Sequence, residues 1–135
     1  MQITFVKPTL GRLADGPFRD EARMEPLNLG VLAGLTPDGV DLRLWDDRID
    51  HIDYDERTDL VAITVEAFTA RRAYEIADEY RARRVPVIMG GIHATALPDE
   101  VAEHADSVLT GDAETRWARV VADAHERHLA PRYHG

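Results

Sequence analysis

The residues best suited to chemistry in this chain fall at the ends of short apolar runs. Lys7-Pro8-Thr9-Leu10-Gly11 follows the first run and Thr64-Val65-Glu66-Ala67-Phe68-Thr69 the third. Gly90-Gly91-Ile92-His93-Ala94-Thr95 follows the fourth, and Thr110-Gly111-Asp112-Ala113-Glu114 the fifth. Glycine lets a ligand approach backbone closely. Hydroxyls and backbone N–H groups bind amides or a single phosphodiester without a strong local charge. Such ends suit a large ligand pressed against the chain. His125 and His128 share a helix face at metal-ligand spacing, but no third ligand accompanies them, so they read as a wet surface.

The elements that must position these residues alternate. Strands are expected at Ile3–Val6, Val40–Trp45, Leu60–Val65, Val85–Met89 and Ser107–Thr110. Val40–Trp45 alternates apolar with charged residues and reads as an edge strand with one buried face. Leu60–Val65 is apolar nearly throughout and reads as central. Pro86 is tolerable only near a strand's start. Helices are expected at Pro26–Leu35, Thr69–Arg83, Pro98–Glu103 and Ala113–His128. Ala73, Ile76, Ala77 and Tyr80 form one apolar stripe, and Trp117, Val120, Val121 and Ala124 another. Asp112 is the expected N-cap of the last helix.

Five strands alternating with helices imply an α/β fold with a doubly wound, flavodoxin-like or Rossmann-like five-stranded parallel sheet of order 2-1-3-4-5. Ligands of such sheets sit beyond the carboxyl ends of the strands, near the switch point between strands 1 and 3. The long connection from Lys7 to Glu25, with Pro8, Gly11, Gly16 and Pro17, is a candidate functional loop. The second long connection, Asp46 to Asp59, is acidic and less informative.

Composition narrows the reading. The chain has 135 residues, enough for one domain with a real core. Its net charge of −9 argues against nucleic acid as a partner. It has no cysteine, so it holds no disulfide, no Cys-ligated zinc and no cysteine-held iron–sulfur cluster. No apolar run approaches the ~18 residues that would span a bilayer, and the start reads as a strand, not a secretory signal. A soluble, cytoplasmic protein without a membrane partner is expected.

Familiar sites fail at the strand ends. A phosphorylated receiver domain would need acids after strand 1, an aspartate ending strand 3 and a lysine ending strand 5. No G-x-G-x-x-G or P-loop spacing occurs. Only Thr9 matches a flavodoxin phosphate loop.

The segments Pro26-Leu-Asn-Leu-Gly-Val-Leu-Ala-Gly-Leu, Asp59-Leu-Val-Ala-Ile-Thr, Arg72-Ala-Tyr-Glu-Ile-Ala and Val85-Pro-Val-Ile-Met-Gly-Gly-Ile-His-Ala-Thr are distinctive as a set. They are followed by Leu97-Pro98-Asp99-Glu100 and by His104-Ala-Asp-Ser-Val-Leu-Thr-Gly-Asp-Ala-Glu114. Together they resemble, over nearly the whole chain, the N-terminal cobalamin (B12)-binding domain of class B radical SAM enzymes, the cobalamin-dependent radical SAM methyltransferases. The resemblance implies that residues 1–135 are a cobalamin-binding domain, a fragment or N-terminal domain that is not catalytic alone. Its candidate cofactor contacts are Pro8, Thr9, Leu10, Thr64, Val65, Glu66, Gly90, Gly91, His93, Gly111 and Glu114, with no catalytic or metal-ligating residue.

Two departures from the relatives matter. Families that replace the benzimidazole by a histidine carry D-x-H-x-x-G after strand 1, and no such motif occurs here. The resemblance therefore implies cobalamin bound base-off without a histidine on cobalt, its nucleotide tail against the sheet. The C-x-x-x-C-x-x-C motif that holds the [4Fe–4S] cluster is absent as well. Cluster, S-adenosylmethionine and transfer of methyl to carbon or phosphorus are then expected of a separate radical SAM domain, in cis or as another chain. Pro131–Gly135 reads as a break before it. Two alternatives stay open: a cofactor-free regulatory or protein-interaction domain of the same fold, and a small flavin or nucleotide binder.

Overall fold

A computed structural model of the chain describes residues 1–10 and 24–135. Most of the loop after the first strand, including Gly11, Gly16 and Pro17, therefore lies outside the described residues. Six strands are present: β1 Gln2–Lys7, β2 Asp41–Asp46, β3 Leu60–Thr64, β4 Val87–Gly90, β5 Ser107–Thr110 and β6 Arg132–His134. They form one sheet of order β2-β1-β3-β4-β5-β6, every pair parallel. The expected order 2-1-3-4-5 is present, with a sixth strand added beyond β5.

β3 is buried at all five positions, as a central strand covered on both faces must be. β4 starts at Val87, one residue after Pro86, whose carbonyl accepts the Val61 N–H at 3.0 Å. β2 is the expected edge strand, yet Asp41 to Leu44 are exposed. Its Trp45 is covered by the Arg43 guanidinium, 4.1 Å from the ring centroid.

The helices are α1 Leu27–Leu35, α2 Ala70–Ala82, α3 Ile92–Ala96, α4 Pro98–Ala102 and α5 Trp117–His125. The α2 stripe Ala73, Ile76, Ala77 and Tyr80 is buried as its spacing requires. It packs with α3 and α4 on one face of the sheet, against Val61, Ile63, Val87 and Met89. Helices α1 and α5 cover the other face, against Ile3, Phe5, Leu60, Ala62, Ile88 and Leu109.

Four local outcomes differ from the sequence reading. Gly91 leads into the short helix α3, which the pattern did not show. The last helix opens with a 3₁₀ turn, Ala113–Thr115, before α5 begins at Trp117. Asp112 makes no side-chain cap; its carbonyl instead accepts the Thr115 hydroxyl at 3.0 Å. Residues 132–134 form β6, because the chain leaving α5 returns to the free edge of β5. The β3–β4 crossover has α2 on one face, whereas the β5–β6 crossover has α5 on the other. Both advance the sheet in the same direction, so the second has the opposite, left-handed sense, which is rare.

Candidate functional site

Above the carboxyl ends of β3, β4 and β5, between the sheet and helices α1 and α5, lies a cavity of about 150 Å³. It exists because neighbouring strands present little bulk there. On the face covered by α1 and α5, β3 contributes Ala62 and Thr64, and β4 ends in Gly90, where other positions of that face carry Ile3, Phe5 and Leu60. The roof comes from Leu29 and Leu32 of α1, and Trp117 closes one side. Trp117 is locked by its Nε1–H to the Thr36 hydroxyl at 2.9 Å and by Phe5, with ring centroids 5.5 Å apart. An apolar cavity of about 150 Å³ accepts benzene in another protein, so an aromatic ring fits a space of this order.

The polar groups of the cavity are few and placed. Asn28 Nδ2 donates to Thr64 Oγ1 at 2.7 Å, joining α1 to the end of β3. Asp112 and Glu114 stand at its exposed edge. Of the sequence candidates, Thr64, Gly90, Gly91, Gly111 and Glu114 line this cavity.

The remaining candidates lie at the same sheet edge, off the cavity. Thr9 is buried, and its N–H donates to Asp47 at 3.2 Å. Pro8 is buried and Leu10 exposed. Val65 is wholly buried against α2. Glu66 pairs with Lys7 at 3.1 Å, joining the ends of β3 and β1. His93 donates its backbone N–H to the Val65 carbonyl at 3.1 Å, and its Nε2 lies 3.1 Å from Glu100 Oε1. Glu100 also accepts the Tyr74 hydroxyl at 2.7 Å. Tyr74 first and His93 second hold the Glu100 carboxyl below its ordinary range.

Gly91 is fixed by geometry. Its φ is +106°, and a Cβ there would stand 2.9 Å from the Val65 carbonyl oxygen and 3.1 Å from the Val65 nitrogen. The end of β3 therefore sits where a side chain would be. Gly111 also has positive φ, +75°.

Two residues of this edge stand in the quoted segments but were not among the candidate contacts. Thr95 donates its hydroxyl to the Gly91 carbonyl and accepts the Gly111 N–H, both at 3.0 Å. Asn28 was visible as the single polar residue inside an apolar helix, Leu27–Leu35, and that singularity was its signal.

A model of the B12 binding domain matches residues 21–126 of the chain. The chain is 41% identical over 118 residues to a bacteriochlorophyllide d C-8(2)-methyltransferase of Chlorobaculum tepidum, a match covering 84% of this chain and 26% of that protein. It is 38% identical over 100 residues to a bacteriochlorophyllide d C-12(1)-methyltransferase of the same organism, covering 73% and 22%. The chain thus spans about a quarter of the length of these curated relatives. Among the described residues, no helix is long and apolar enough to cross a membrane.

Proposed function

This chain belongs to the B12-binding domain family, and on that premise we propose that it holds cobalamin with the nucleotide tail in the cavity between α1, α5 and the sheet. The observation that carries this reading is the cavity itself. It opens at the carboxyl edge of the strands, where open α/β sheets bind ligands, and its floor is Ala62, Thr64 and Gly90.

Thr64, Gly90, Gly91, Gly111 and Glu114 would follow the tail. Asp112 and Glu114 accept from hydroxyl donors, while the apolar roof of Leu29, Leu32 and Trp117 keeps water away from an aromatic base. Pro8, Thr9, Leu10, Val65, Glu66 and His93 would form the rim toward the corrin. The absence of a D-x-H-x-x-G motif after β1 supports a base-off mode without a histidine on cobalt, and the His93 Nε2 lies against Glu100.

Cobalamin, when bound, supplies a cobalt centre that carries a methyl group. This chain's part is to seat the cofactor and exclude water. Methyl transfer would fall to a radical SAM domain with its [4Fe–4S] cluster and S-adenosylmethionine, in cis or as a separate chain, in the cytoplasm. Relatives named as methyltransferases, about four times as long as the matched segment, support that division of labour. Their names favour a carbon acceptor over a phosphorus one.

The test is retention of hydroxocobalamin through gel filtration, read by its visible spectrum. The chain is expected to elute coloured. Ala62→Leu fills the cavity floor and is expected to elute colourless with an unchanged far-UV circular dichroism spectrum. A colourless wild-type chain, or a coloured Ala62→Leu variant, would sink the assignment.

A further inference from the structure

At the opposite edge of the sheet, below the amino ends of the strands, lies a larger groove of about 770 Å³. Arg57, Arg84 and Arg127 line it, and none of the three has a carboxylate partner among the described residues. Every other described arginine is engaged. Arg116 donates to the His134 carbonyl, and each of the rest pairs with an acid. In a chain with 25 acidic against 16 basic residues, three of the four described guanidiniums left without an acid partner gather in one place, and the fourth, Arg116, is taken up by the His134 carbonyl.

Two of them are held there at a cost. Arg84 and Arg127 are the non-glycine residues with positive φ among the described residues, at 61° and 56°. Each ends a helix at the position glycine usually takes. The Val85 N–H reaches back to the Tyr80 carbonyl at 3.1 Å, and the His128 N–H to the Asp123 carbonyl at 2.8 Å. A left-handed backbone strains an L-residue but not glycine. The two carboxylates of the groove are committed elsewhere. Asp59 accepts the Gln2 N–H at 2.8 Å, and Asp106 accepts the Val87 N–H at 2.8 Å and Arg81. Val85, Pro86 and Leu129 add apolar surface.

We propose that this groove binds a small molecule carrying two or more phosphate groups on an apolar body. Guanidinium forks match phosphate oxygens in pairs, and the volume falls in the range of roughly 300–1,000 Å³ typical of small-ligand sites. That size favours such a ligand over an extended acidic peptide. The site is separate from the cobalamin cavity, so either assignment can fail without the other.

Isothermal titration of the chain with inorganic pyrophosphate and with adenosine diphosphate tests the proposal. Binding is expected with a Kd below about 1 mM, weakened about tenfold or more in Arg57→Ala and in Arg127→Gly. Arg84→Gly and Arg127→Gly are expected to raise the melting temperature, because glycine accepts the left-handed backbone. Lost binding in a stabilised variant cannot be blamed on misfolding. Absence of binding by both probes, unchanged affinity in the variants, or preference for a glutamate-rich peptide over both probes would each overturn it.

Discussion

Gly111 donates its N–H to the hydroxyl of Thr95, 16 residues earlier, and the same hydroxyl donates to the Gly91 carbonyl. One side chain thus clamps the turn after β5 to the turn after β4, and both turns line the cavity. The spaced glycines and threonine of the sequence are one hydrogen-bonded unit. Thr95→Val keeps the shape and deletes both bonds. It should cost about 1 kcal/mol, lowering the melting temperature by about 3 °C, and weaken cobalamin retention. Thr95→Ser should restore both; failure of serine to do so would show that the hydroxyl is not the clamp.

The glycines are not equivalent, and alanine scanning should separate them by sign. At Gly91 an added Cβ meets the β3 backbone and φ is +106°, so Gly91→Ala should destabilise by about 2 kcal/mol or more. At Gly30, inside α1, nothing lies within 4 Å of an added Cβ. Gly30→Ala should stabilise by about 0.5–1 kcal/mol. Thermal melts of the two variants decide it, and shifts of the same sign would refute the geometry.

Asp47 is completely buried and holds Arg72 with both carboxylate oxygens, at 2.8 and 3.0 Å. It also accepts the N–H of Thr9 at the start of the loop after β1. Arg72→Met leaves a buried charge without its partner and should cost about 3–5 kcal/mol. The double variant Asp47→Asn with Arg72→Met should recover part of that loss in urea unfolding. Additive losses would mean that the two residues do not form one unit.

The sixth strand should be the acid-labile part of the sheet. Tyr133 of β6 donates its hydroxyl to Asp123 of α5 at 2.8 Å and accepts the Ala130 N–H at 3.0 Å. The Asp123 carboxyl is held below its ordinary value of 3.8, first by that hydroxyl, against the opposing effect of burial, and then by Arg119. A depressed carboxyl contributes stability that is present above its unfolded value and lost as pH falls through the folded one. Amide exchange in residues 132–134 should therefore rise below about pH 4 before the rest of the sheet opens. Asp123→Asn should remove that step; an unchanged acid profile in the variant would exclude Asp123 as its source.

Much of this molecule was legible along the chain because its signals are local. Alternating apolar runs named five strands and their order, and the stripe from Ala73 to Tyr80 named the buried face of α2. Glycines and hydroxyls at the strand ends marked the edge on which Thr64, Gly90, Gly91, Gly111 and Glu114 meet. The roles that were not assigned depend on partners distant in sequence. Asn28 finds Thr64 36 residues away, and Thr95 finds Gly111 across two strands.

The amino-acid order alone determined the α/β class, the switch-point edge and the resemblance to cobalamin-binding domains, since periodicity, turn residues and motif spacing act over a few residues. Only the tertiary structure decided which face α5 covers, that β6 extends the sheet, and where space is left empty. A cavity is a deficit of side-chain volume summed over β3, β4, α1 and α5, and a groove of unpaired arginines depends on which acids fold out of their reach. Neither quantity exists until the elements are packed.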